Sequence, residues 1–187
     1  MSMWQTSRTQ YLLNQVALSN SIRRLWVDNN QWVRALIYSI IYGIGDQQAI
    51  EERLRQNGEE FATLFSQFYG QEVGNRIRNN YVRYVQALVR MIEAYRDNDV
   101  STIATQREVL NQIAAELAQL YSEINRYWDL ATLQTLIYEL VDLTENQIMR
   151  TVSGDFSRSI QEYDEFMEQA YRVSDELTYG ILRQFQV

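Results

Sequence analysis

Apolar residues recur every three or four positions along almost the whole chain, which is the spacing of one helix face. In the first long segment they fall at Ile22, Leu25, Trp26, Val33, Leu36, Ile37, Ile40 and Ile44. Ser19 or Ser21 is placed to cap its start, Gly43 and Gly45 loosen its end, and Asp46 stands ready to cap the next helix. The charged stretch "DQQAIEERLRQN" predicts a short helix closing at Asn57-Gly58. A second short helix, "EEFATLFSQFYG", carries Phe61, Leu64, Phe65 and Phe68 on one side and stops near Gly70. Residues 71–97 give a stripe of Val73, Ile77, Tyr81, Tyr84, Leu88, Met91 and Tyr95, and "RDND" predicts a turn with a helix cap at Asp97 or Asp99. Further stripes occupy 100–125 and 128–150, with Asn125 between them. "TVSGD" breaks the chain, Ser153 or Asp155 caps the last segment, and its stripe runs from Phe156 through Met167 and Leu177 to Phe185.

No run alternates with period two long enough for a half-buried strand. The pattern predicts an all-α protein, an antiparallel up-and-down bundle of about five long helices and two short ones. Residues 1–18 are expected to form an N-terminal arm or short helix, and residues 19–187 a single helical-bundle domain. Composition agrees: a chain of this length would ordinarily hold about nine prolines, and this one has none. Gly180, inside the last stripe, costs about 1 kcal/mol relative to alanine and is expected to allow close helix approach, with a tryptophan as the neighbour.

Charge and residue usage narrow the chemistry. The net charge of −7 argues against general affinity for nucleic acid. The longest apolar run, Ala35 to Ile44, is too short for a membrane span. All 17 basic residues are arginine, and nothing in the pattern explains the missing lysine. There is no cysteine and no histidine either. Thiolate nucleophiles, zinc clusters, Ser-His-Asp triads, Schiff bases and Walker-type phosphate loops are therefore excluded. Carboxylates, hydroxyls, amides and arginines remain, and they suit hard-cation binding or glycoside hydrolysis. No transition metal and no cofactor is expected.

Several polar residues interrupt the stripes. Asn29 lies on the line from Leu25 and Trp26 to Val33, so its amide points into the bundle or onto its seam. It is expected to be a buried amide bonded to a facing group, with Tyr81, Glu139 or Asp175 as candidates, or a polar group lining a central pocket. Glu139 and Asp142 lie one turn apart and could hold a divalent cation, although a solvated face with arginine pairing is the commoner outcome. Arg34, Asp164 and Asp175 complete the candidate set. The thirteen tyrosines and four tryptophans suit either a core or an interface.

"LWVDNNQWVRALIYSI", "RLRQNGEEFATLFSQFYG", "INRYW", "YDEFMEQAYRVSDEL" and "GILRQF" occur in an order that resembles a family of small, all-helical bacterial proteins, with relatives in some large DNA viruses. The resemblance spans residues 20–186. Members of that family often carry the label acetylglutamate kinase. An amino-acid kinase needs an α/β fold, glycine-rich phosphate loops and basic groups at the transferred phosphate, and this chain has no lysine, glycine-rich loop or strand pattern. The family commonly reads "LWxxHxxWTR" over Leu25–Arg34, which puts its histidine on Asn29 and its threonine on Val33. Further family histidines fall near Tyr81 and Leu140. The resemblance thus implies a polar position facing the middle of the bundle.

The expectation is a non-catalytic helical bundle with a structural or protein-interaction role, such as a component of a larger assembly like a virion. The alternative is a binding module for a small ligand or hard cation, held among Asn29, Arg34, Tyr81 and nearby carboxylates. An enzyme built on paired carboxylates ranks below both. A protein partner or self-association is expected. The opening "MSMWQTSRTQ" lacks the features of a secretory signal, so an intracellular or virion protein is expected ahead of a secreted one.

Overall fold

Six helices account for the stripes, and local chemistry sets where most of them stop. The structure, a computed structural model, describes residues 3–186, with side chains from residue 10 onward. The helices are α1 (Met3–Tyr42), α2 (Gln47–Tyr69), α3 (Gln71–Asp97), α4 (Val100–Ile124), α5 (Leu130–Val152) and α6 (Phe156–Phe185), joined by turns of one to five residues. No strand occurs among the described residues. Asp99, Asp129 and Asp155 each cap the helix that comes next, accepting from the backbone N–H of Thr102, Thr132 and Arg158 at 3.1, 2.8 and 3.2 Å. Gly70 both ends α2 and begins α3 at φ 85°, a conformation that favours glycine.

Three expectations about boundaries are corrected. The count is six helices, in place of five long and two short. The two short helices expected over residues 46–70 are one helix, α2, which runs straight through Asn57-Gly58. Asn57 is fully buried, and its amide is engaged with α1 and α3, so this local turn signal is overridden by tertiary contacts. At the start of the chain, α1 passes through residue 18 without a break, since neither proline nor glycine precedes Gly43. Ser21 caps nothing; its hydroxyl donates to Ala17 O at 2.8 Å within the helix. The arm expected over residues 1–18 is therefore the first part of α1, except for residues 1–2, which lie outside the described residues. Asp46 precedes α2 but makes no side-chain capping bond.

Each helix packs against its neighbours in sequence, and α6 returns to α1, which closes the set into a ring. α1, α3 and α5 also touch one another, so they form an inner trio, and α2, α4 and α6 lie in the outer grooves between them. Cross-helix pairs run in opposite directions along neighbouring axes. Arg23 meets Asp175 and Arg34 meets Ser159 across α1 and α6. Arg76 meets Glu123 and Arg83 meets Glu116 across α3 and α4. Short turns between successive helices enforce this arrangement.

Two hydrophobic clusters make the core. One gathers Leu25, Phe61, Phe65, Tyr121, Phe166 and Leu177, and the other gathers Val33, Leu36, Leu54, Leu88, Met91 and Ile148. Tyr81 and Val141 pack against both, so they mark the join. In the first cluster, Trp128 stands against Tyr121 and Tyr69 with ring centroids at 5.5 and 5.7 Å, and its Nε1–H donates to Glu176 O at 3.0 Å. Gly180 makes room for this indole, because a Cβ there would overlap Trp128 Nε1.

That contact yields a test. Gly180→Ala gains helix propensity but must displace an indole held by its own hydrogen bond and by the rings around it. The expected outcome is a loss of about 1–3 kcal/mol in denaturant unfolding. A variant as stable as the parent would show that the indole has slack the packing does not suggest.

Candidate functional site

The residues that interrupt the stripes of α1, α2 and α3 meet at the join between the two core clusters. Asn29 is 3% exposed, and its Nδ2 donates to the Tyr81 hydroxyl. The Tyr81 hydroxyl in turn donates to Asn57 Oδ1 at 2.5 Å, and Asn57 Nδ2 donates to Leu25 O at 3.2 Å. The Tyr84 hydroxyl donates weakly to Asn29 Oδ1 at 3.5 Å. Three helices are thereby tied by one relay of buried polar groups. Gly58 lets the Tyr81 ring lie against α2, since a Cβ at that position would come within 2.5 Å of it.

Beside this relay lies a cavity of about 90 Å³. All six helices contribute to its lining: Trp26 and Asn29 from α1, Phe61 from α2, Tyr81 and Tyr84 from α3, Ala114 among others from α4, Leu140 and Thr144 from α5, and Phe166 from α6. Among the described residues, no charged side chain lines it. Tyr81 and Tyr84 are half-buried and both line this cavity. A space this large exceeds what a single water needs, so it is more than a packing defect. α4 forms its outer wall and packs mainly on α3 and α5. The edges of α4 are tied by ion pairs, the largely exposed Arg83–Glu116 and Arg76–Glu123 to α3, and Arg107 with the exposed Asp142 and the mostly buried Glu145 to α5.

A second pair of buried amides sits deeper. Gln147 Nε2 donates to Asn30 Oδ1 at 3.5 Å, which leaves Asn30 Nδ2 and Gln147 Oε1 without partners. Trp26 Nε1 is likewise enclosed and without a partner.

Burial governs the electrostatics. It pushes the pKa of Tyr81 well above 10.0, reinforced by Tyr84 and partly offset by the bond from Asn29. It also raises Tyr84, partly offset by that residue's own hydrogen bond with Asn29, and Tyr121. At the far end of the first cluster Tyr69 is pushed up to about 12 by burial, against the hydrogen bond from Asn125. Each phenol is kept neutral because the charged form would lose its hydration in an apolar surround.

The residues singled out from sequence divide clearly. Asn29 and Tyr81 come together at the cavity, and Tyr81 is the partner of Asn29. Arg34 lies outside it, on the seam between α1 and α6, with its guanidinium 5.0 and 5.2 Å from the ring centroids of Tyr38 and Tyr163 and donating to Ser159 O at 3.4 Å. Glu139, Asp142, Asp164 and Asp175 are all exposed. Asp142 pairs with Arg107 and Asp175 with Arg23, which is the solvated-face outcome. These four carboxylates therefore do not line the cavity. Among the described residues no three of His, Cys, Asp and Glu gather into a metal-binding group, and no helix is long and apolar enough to cross a membrane. Sequence reasoning missed Asn57, Tyr84 and Trp26 as parts of the site. Asn57 was hidden by its resemblance to a helix stop, although Leu54, Asn57 and Phe61 share one helix face.

Compared with known proteins, the chain matches no family model, no curated protein and no solved structure.

Two measurements probe the relay. Removing Asn29 leaves Tyr81 still donating to Asn57, whereas removing Asn57 leaves the Tyr81 O–H without its acceptor, although it still accepts from Asn29, and opens a cavity at a fully buried position. Asn57→Ala is therefore expected to cost about 2–4 kcal/mol and Asn29→Ala about 1–2 kcal/mol, read by denaturant unfolding. The reverse order would show that Asn29 carries the tie. The tyrosines give a pH window. Their folded pKa values lie above the unfolded value of 10.0, so the folded state holds more protons above that pH. The contribution of these tyrosines to stability is expected to be level below pH 10 and to be lost as pH rises through the folded values. Tyrosinate absorbance should then show a cooperative step that coincides with loss of helical circular dichroism. Smooth ionisation of every tyrosine with the helix signal intact would contradict this burial.

Proposed function

We propose that this protein is a non-catalytic binding module that takes a small, mainly apolar molecule into the centre of its bundle. The cavity carries this reading: about 90 Å³, lined by all six helices, apolar on most of its wall and polar at the relay of Asn29, Tyr81 and Tyr84. The absence of cysteine, histidine and lysine from the chain supports a binding role over catalysis. The resemblance to the all-helical bacterial and viral family fits the same position, since the family's histidine aligns with Asn29 at the cavity wall. The kinase label of that family gains no support from this lining, which holds no basic group for a phosphate. A hard cation suits the site poorly, because no carboxylate reaches it.

A second reading, a protein-interaction role, rests on a separate observation. Met149, Val152, Phe156 and Ile160 are 38–52% exposed and bracket the turn between α5 and α6. Such a patch suits a protein partner or a second copy.

Titration with benzene, followed by NMR of the tyrosine and tryptophan rings, tests the first reading. Saturable shifts confined to Trp26, Phe61, Tyr81, Tyr84 and their neighbours are expected, and Ala114→Phe, which fills the cavity from α4, should abolish them. No saturable binding would overturn the proposal. A retained small molecule in native mass spectrometry would favour the cavity, and a ligand-free assembly would favour the interaction role.

A further inference from the structure

Away from the cavity, α1 runs on past the ends of the helices beside it. Arg23 pairs with Asp175 across antiparallel axes, so the end of α6 at Phe185 comes level with about residue 13 of α1. Asn57 reaches Leu25 in the same sense, which puts the end of α2 at Tyr69 at about that level too. α1 begins at Met3, so its first turns extend about 15 Å beyond both neighbours. From residue 10 to residue 17 the side chains are exposed, except the half-buried Gln15. Leu12, Leu13 and Val16 are 52–57% exposed. They share one side of the helix, opposite the stripe of Leu18, Ile22 and Leu25 that enters the core.

Charge decides what suits this face. The sequence from Met3 to Ile22 holds one charged residue, Arg8, although 22% of the chain is charged and its net charge is −7. A two-fold interface sets residues near the axis against their own copies, so like charges there repel. This stretch is free of that penalty. Its polar residues include the amides Gln10, Asn14 and Asn20, which both donate and accept, so identical surfaces can bond to each other. The exposed apolar patch at the α5–α6 turn differs, since Arg150, Asp155 and Arg158 lie in the same stretch. A strongly charged partner, or an anionic lipid surface, would find a single arginine to attract it. A free-standing helix of this length, rich in Thr, Ser and Asn, is marginal in water, and a covered face stabilises it.

We propose that the chain forms a two-fold dimer in which the first parts of two α1 helices pack antiparallel. Leu12 of one copy then lies against Val16 of the other, and the two Leu13 side chains come close to the axis. A seam of about 24 Å between two helices covers less than the roughly 1,200–2,000 Å² of a stable complex. The dimer is therefore reversible and dissociates on dilution.

Sedimentation of the full chain over a range of concentrations tests this. The mass is expected to approach two chains at the upper end and one chain on dilution. Leu13→Glu sets like charges near the axis and removes little packing within the bundle, because Leu13 is 57% exposed. It is expected to weaken association at least about tenfold and to leave the melting of the bundle unchanged at concentrations where the parent is a monomer. Leu13→Arg alone is expected to do the same. An equimolar mixture of the two variants is expected to dimerise again, because opposite charges then meet, and a folding defect would not be repaired by mixing. Ile160→Glu, in the patch at the α5–α6 turn, is expected to leave the dimer intact. A parent that stays a monomer at every concentration would overturn the proposal, as would a mixture of the two Leu13 variants that stays monomeric. A dimer that survives Leu13→Glu and is lost in Ile160→Glu would move the interface to the other end of the bundle and overturn it as well. A monomeric parent that binds phosphatidylcholine vesicles, with the binding lost in Leu13→Glu, would make a lipid surface the partner in place of a second copy.

Discussion

The Tyr81 hydroxyl is the point on which the architecture turns. It accepts from Asn29 on α1 and donates to Asn57 on α2, while its own helix is α3. Each of these groups would be costly to bury alone, and each is satisfied only when the three helices are in register. The ring stands between the two hydrophobic clusters, so the polar tie also sets how they meet. Gly58 belongs to the same constraint: it costs helix propensity on α2 and returns the space that the ring needs. Apolar packing alone would tolerate a slide of one helix past another, and a relay of specific donors and acceptors does not. A buried polar group fixing register in this way is a role well attested in coiled coils.

Much of this fold is written in the chain itself. Stripes such as Ile77, Tyr81, Tyr84 and Leu88 point to a helix without ambiguity, and the capping aspartates at 99, 129 and 155 sit one step before their helices. The close approach at Gly180 is legible because a glycine inside a strong stripe calls for a neighbour, and that neighbour is Trp128. Asn57-Gly58 misleads for a physical reason. Its local chemistry is that of a turn, and the contacts that keep it helical come from residues 32 positions earlier and 24 positions later in sequence. Long-range compensation of this kind leaves no local trace.

The site shows the same division. Asn29 is readable, because an amide on an apolar stripe needs a partner. Its partner Tyr81 is readable from its place on the α3 stripe. The carboxylates at 139, 142, 164 and 175 are not distinguishable in sequence from inward-facing ones, since a rotation of α5 or α6 by one residue would move them inward or outward. Helix phase at that resolution is decided by packing, as with Phe166 and Leu177, which are buried and carry Asp164 and Asp175 to the surface. The cavity has no sequence signature at all, because it is defined by the volume that side chains from six helices fail to fill.

The position of α4 has a consequence for motion. Leu110, Ile113, Ala114, Leu117 and Tyr121 of its inner face line the cavity, against one residue each from α2 and α6. Most of the ion pairs at its edges are largely exposed, each of these contributing about 0–1 kcal/mol and weakened by salt, and Arg107–Glu145 is the less exposed one. The relay of Asn29, Tyr81 and Asn57 does not involve it. Local opening free energies in a folded protein follow this kind of unevenness. α4 is thus the segment that can breathe away from the rest as a unit, with its backbone amides exchanging through partial opening while α1, α2 and α3 stay locked. On the binding role proposed above, the way into the interior and the most weakly held unit of the fold would be the same helix, and ionic strength would set how often it opens.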